Sequence, residues 1–141
     1  MSKVINIEDF FTESNEKNGM WHEPVFDGVP CGLEFLIIGI HSREAMERME
    51  YYDNLLEQLD PSMPEEERDL KEREIDAERV ASLTKDMRAT NGEDIMIDGK
   101  KVVFDKEFIK RLYMEAPLFK MDNIEFALKS SNYMNKKVSG E

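Results

Sequence analysis

The side chains that could do chemistry are few and scattered. Ser82-Leu83-Thr84-Lys85 spells Ser-x-x-Lys, a spacing that can set a serine nucleophile beside a lysine. It falls inside a predicted helix and lacks the companion motifs that such chemistry requires. His22, Cys31 and His41 are metal-ligand types, but their spacing fits no zinc pattern. A fourth ligand would have to be an unpaired carboxylate. His22-Glu23 does not continue into His-Glu-x-x-His. No acidic cluster has the calcium-loop form, and there is no Gly-rich phosphate cradle. Glu47 with Asp53 or Glu57 could act as a general acid–base pair only if buried together, which a solvated helix face opposes. The expectation is a non-enzyme with no catalytic residue, no cofactor and no metal.

The elements that would position these groups are organised around Gly32–Ser42, the one strongly apolar run in the chain. Leu36, Ile37, Ile38 and Ile40 are too few for a membrane span of roughly 20 apolar residues and fit a largely buried strand. Val25-Phe26-Asp27-Gly28-Val29-Pro30 just before it carries an Asp-Gly hairpin signal. Trp21, the sole tryptophan, reads as a core anchor. Upstream, Asn6–Asn18 could be a short helix carrying Ile7, Phe10 and Phe11 before Asn18-Gly19 breaks it.

Ser42 is a helix N-cap, followed by an apolar stripe at Ala45, Met49, Tyr52, Leu56 and Leu59 that stops at Asp60-Pro61. Ser62-Met63-Pro64-Glu65 has a capping-box pattern and opens a long charged helix over Glu65–Arg88. The first half of that helix has no usable stripe and is expected to face solvent or project. A second, weaker Asp-Gly hairpin signal lies at Asp98-Gly99. Asp105 caps a helix with Phe108, Ile109, Leu112 and Tyr113. A last helix over Leu118–Lys129 is expected to bury Met121, Ile124, Phe126 or Ala127, and Leu128.

The fold class expected from these signals is α+β and predominantly α-helical. It has a small antiparallel β-hairpin near the N-terminal third and a long charged helix or helical hairpin in the middle. Residues 1–141 form a single domain: 21–60 hairpin plus helix, 62–90 charged helix, 93–134 C-terminal hairpin and helices. The net charge of −12 opposes binding to nucleic acid phosphates or an anionic membrane. One cysteine excludes an intramolecular disulfide. With no signal peptide visible at the N-terminus, a reducing cytoplasm is expected.

The order of these signals resembles the tail assembly chaperones of long-tailed phages. Trp21 precedes a short strand, a turn and an apolar strand running into Gly39-Ile40-His41-Ser42 and a helix, where the family often shows Gly-x-Asp-Ser. Asp98–Asp105 resembles the family's late Asp-Gly turn and capped helix. Leu112-Tyr113, Pro117-Leu118 and Ser131-Asn132-Tyr133 match its closing helices. The resemblance implies a factor of the host cell cytoplasm that coats the tape measure protein, recruits tail tube subunits and is absent from the finished virion. A structural tail completion or connector protein is the alternative. A small enzyme or host-directed inhibitor comes third.

Ten methionines suit a binding role, since methionine adapts to imperfect partners, although it also fills gaps in cores. A helix-in-groove contact uses apolar anchors at three- and four-residue spacing. Met46, Met49 and Tyr52 on the first long helix, with Leu70 and Val80 on the second, are the candidate partner-binding residues. The sparse stripe on the charged helix also suits self-association.

Overall fold

A buried strand needs hydrogen-bond partners along its edges, because unpaired backbone groups away from water are costly. The computed structural model, which describes residues 3–135, supplies both neighbours for the central strand β4 (Leu33–Ile37). On one side lies β1 (Met20–His22), antiparallel, with Trp21 opposite Leu36 and His22 opposite Phe35. On the other lies β5 (Thr84–Ala89), also antiparallel, with Phe35 opposite Met87 and a register shift between Leu36 and Ile37. Between β1 and β4, the hairpin of β2 (Val25–Phe26) and β3 (Val29–Pro30) forms its own two-stranded ladder.

The helices are α1 (Glu13–Asn18), α2 (Arg43–Glu57), α3 (Glu65–Ser82), α4 (Lys106–Glu115) and α5 (Pro117–Leu128). A second hairpin, β6 (Met96–Ile97) with β7 (Lys100–Lys101), precedes α4. Alternation along the strands puts Phe35, Ile37, Thr84 and Met87 on one buried face of the sheet. Ala77, Val80, Ile109, Tyr113 and Ala127 of α3, α4 and α5 complete the same core. The opposite face carries Glu34, Leu36 and Arg88, with the Arg88 guanidinium 3.8 Å from the ring centroid of Trp21. Trp21 is therefore half-buried under a cation on the outer face, not a core anchor.

The architecture is mixed α/β: 52% helix, 17% strand, a three-stranded sheet and two hairpins. This overturns the expectation of a predominantly helical α+β chain with one small N-terminal hairpin. Two local features account for the difference. The Asp27-Gly28 turn forms, but its arms are two residues each and neither is the apolar strand; Pro30 has no N–H to extend the ladder. The expected helix over Glu65–Arg88 stops at Ser82. Val80, Leu83 and Met87 stand at helical spacing, so periodicity ran on through the boundary. Thr84 ends the helix by donating its hydroxyl to the Val80 carbonyl (3.2 Å), and the residues beyond it complete the open edge of β4.

Capping divides in the same way. Ser42 accepts from Ala45 N–H (3.1 Å) and Asp105 from Phe108 N–H (2.7 Å), both as the sequence indicates. The Ser62 capping box does not form. Asp60 takes both the N–H and the hydroxyl of Ser62, and α3 begins three residues later behind Pro64. The segment 6–18 is likewise not one helix: a 3-10 turn over Ile7–Phe10 is separate from α1.

A buried polar chain locks α3, β5, α4 and α5 together. Asn123 Nδ2 donates to the Tyr113 oxygen (2.7 Å). The Tyr113 hydroxyl sits 2.8 Å from Thr84 Oγ1, and because the Thr84 hydrogen goes to Val80, Tyr113 is the donor there. Asn123 Oδ1 has no partner among the described residues. Burial, opposed by the hydrogen bonds made with Thr84 and Asn123, pushes the Tyr113 hydroxyl up to about 12.

Candidate partner-binding surface

Ser82 and Lys85 do not meet, nor do His22, Cys31 and His41 come together. Ser82 is buried with its hydroxyl on the Arg79 carbonyl (2.6 Å), while the Lys85 ammonium reaches toward Lys17 O and Glu44. Glu47 pairs with Arg43 and Asp53 with Arg79. His22 of β1 meets Asp122 of α5 at 2.5 Å and stacks on Phe126 (centroids 4.3 Å apart), beside a cleft of about 250 Å³. Glu125, Lys129 and Asn132 line the rest of that cleft. Cys31 donates to the Leu33 carbonyl (3.3 Å), and burial, reinforced by Glu23, raises its thiol, which disfavours the reactive thiolate. His41 lies elsewhere, beside α1. Among the described residues no three His, Cys, Asp or Glu side chains are grouped to hold a metal.

What the fold does build is an apolar surface around α1. Glu16 is buried and pins this short helix: its carboxylate accepts from Thr12 Oγ1 (2.6 Å) and His41 N–H (3.3 Å), and its carbonyl accepts from Gly39 N–H (2.9 Å). Gly39 is required for that approach, because a Cβ there would come within 2.6 Å of Glu16 Oε1. Open grooves run along α1 on two sides and share Thr12, Glu13 and Lys17. One, about 820 Å³, is lined by Phe10, Phe11 and Asn135; the other, about 660 Å³, by His41, Met46 and Glu47. Phe10, Phe11 and Met46 all keep more than half their surface exposed.

The Met46 groove is lined by four carboxylates, Glu13, Glu16, Glu44 and Glu47, and two cations, Lys17 and Arg43. Glu44 pairs with Arg48 (2.6 Å) and lies 3.7 Å from Lys85; Glu47 lies 3.4 Å from Arg43. What this surface offers a partner is three exposed apolar side chains, Phe10, Phe11 and Met46, set among charged and polar neighbours.

The five residues singled out by helical spacing separate. Met46 is 53% exposed and Leu70 is 43% exposed. Met49 packs against the core and Tyr52 is half-buried, its hydroxyl raised by burial and by Glu78. Val80 is 2% exposed and belongs to the core, because α3 packs against α4 and α5 there. Phe10 and Phe11 are not among those five; two adjacent aromatics within a polar stretch are the sequence signal that marks them.

The last helix reverses an expectation. Met121 (57% exposed) and Leu128 stand out in solvent with Leu118, while Phe119, Asn123, Phe126 and Ala127 turn inward. α5 is apolar on nearly every side, so hydropathy could not say which face would be covered. No helix among the described residues is long and apolar enough to cross a membrane. Comparison with known protein families, characterised proteins and solved structures finds no match for this chain.

Proposed function

We propose that this protein is a non-catalytic phage tail assembly chaperone, which holds the tape measure protein in the host cytoplasm and brings tail tube subunits to it. The observation that carries the reading is the pair of grooves along α1, with Phe10, Phe11 and Met46 exposed on a firmly pinned element. An amphipathic helix of the tape measure protein would lay its apolar side across α1, using methionine and aromatic anchors that accommodate varied sequence. The motif order around Trp21, Asp98-Gly99 and Pro117 supports the same reading. The surrounding acid, net −12, keeps the loaded complex in solution.

Co-expression with the tape measure protein of the same genome tests this. The expected result is a soluble complex that Met46→Asp or Phe11→Asp abolishes without loss of fold. A tape measure protein that stays insoluble and unbound beside abundant wild-type chain refutes the reading. Recovery of the protein as a stoichiometric component of purified virions would instead favour a tail completion or connector protein.

A further inference from the structure

Exposed apolar side chains outside the α1 surface include Val25 and Val29 of the first hairpin, Leu70 of α3 and Met96 and Val103 farther on, and two further groups stand out. The first is the arm formed by residues 3–7, where Val4 (94% exposed), Ile5 and Ile7 meet little of the body. The second is the stripe of Leu118, Met121 and Leu128 on α5, each more than half exposed. We infer that these are the two halves of one contact made reciprocally between two copies of this chain, the arm of each copy lying along the α5 stripe of the other.

Length, area and symmetry carry the inference. Leu118 to Leu128 spans about 15 Å at helical rise, and the four residues 3–6 ahead of the 3-10 turn reach roughly 13 Å when extended, so an arm with Ile7 at its foot is long enough for one stripe. Six aliphatic side chains at these exposures amount to roughly 600 Å² of apolar surface per copy. A stable interface buries about 800 Å² per partner, of which only some 60% is apolar, so the requirement is met. The base of the arm is already held. Asn6 caps the 3-10 turn at Glu8 N–H (3.1 Å), and Asn135 donates to Phe11 O and Glu8 O, each at 3.1 Å. Ordering on docking is confined to the residues before Asn6. Because each copy gives one arm and receives one, the contact closes at two copies and leaves no free stripe to propagate a filament. The net charge of −12 on each copy opposes the pairing, so added salt should tighten it.

Light scattering on the eluting full chain tests this at low and high micromolar concentration. The expected mass is twice the 16.5 kDa of one chain, with dimer increasing on addition of salt. Ile5→Asp combined with Ile7→Asp, and separately Met121→Asp, should each weaken dimerisation by about 100-fold or more, because both symmetric contacts are lost at once. All three positions are exposed, so far-UV circular dichroism should not change. A mixture of the two variants keeps one intact arm–stripe contact and should re-associate, more weakly than wild type. A short crosslinker between Ile7→Cys on one chain and Met121→Cys on another should trap the pair covalently. A wild-type chain that stays at 16.5 kDa at high micromolar concentration overturns the inference, as does a dimer that survives both variants or a crosslink confined within one chain. Neither the arm nor the stripe includes Phe10, Phe11 or Met46, so failure here is distinct from failure to bind a tape measure protein.

Discussion

Replacing Tyr113 by Phe removes one oxygen from the centre of the buried chain and creates almost no cavity. The Tyr113 hydroxyl accepts from Asn123 Nδ2 at 2.7 Å and donates to Thr84 Oγ1 at 2.8 Å. Without it, Asn123, fully buried and already holding an unpartnered Oδ1, has an orphaned amide donor as well. Thr84 keeps its bond to Val80 and loses less. A buried donor left unmade costs about 1–3 kcal/mol, and the weakened Thr84 hydroxyl adds a fraction of that, so Tyr113→Phe should destabilise by about 2–3 kcal/mol. Urea unfolding should show a lower midpoint with unchanged slope, since the same surface is exposed. Asn123→Leu in the same background removes the stranded amide, so the double variant should recover about 1 kcal/mol or more over Tyr113→Phe alone. A single variant within ~0.5 kcal/mol of wild type, or a double variant that is simply the sum of the two singles, refutes the network account.

Asp76 of α3 joins Lys120 of α5 (2.5 Å) and Arg79 (2.6 Å). Burial opposes its ionisation, but the hydrogen bond and charge of Lys120, with Arg79, outweigh it and hold the carboxyl below the usual range. The stability it contributes is therefore present above about pH 4, the unfolded value, and is lost as pH falls through the lower folded value. Asp76→Asn should cost about 1 kcal/mol at neutral pH in chemical denaturation and converge with wild type in acid. At the alkaline end, burial raises the Tyr113 hydroxyl to about 12 and lifts that of Tyr133 as well. Their contribution is complete below pH 10 and disappears as pH rises through the folded values, so late tyrosinate absorbance should appear together with unfolding. Gly39→Ala should cost roughly 2 kcal/mol, because the added methyl meets the pinned Glu16, and α1 amides should lose hydrogen-exchange protection first.

The features legible in the amino-acid order are those whose physics closes within a few residues. Asp27-Gly28 and Asp98-Gly99 both turn with positive φ, a conformation their residue types tolerate and that matches the twist of the flanking strands. Ser42 and Asp105 cap the helices that follow them, and Pro117 opens α5 where its missing N–H is harmless. The buried character of β4 was equally plain from its run of apolar residues.

Tertiary structure decided everything that depends on a distant partner. Thr84–Ala89 is a polar segment with helix-compatible spacing, and it becomes a strand because β4, far back in the chain, has an edge to fill. β1 is chosen over the nearer β3 as the other neighbour. Val80 is sealed into the core while Met46 and Met121 stay outside, although all three are apolar residues on helices. Local chemistry sets where the chain turns and caps. Which side of each helix meets water is set by how much apolar surface the rest of the molecule has to cover it.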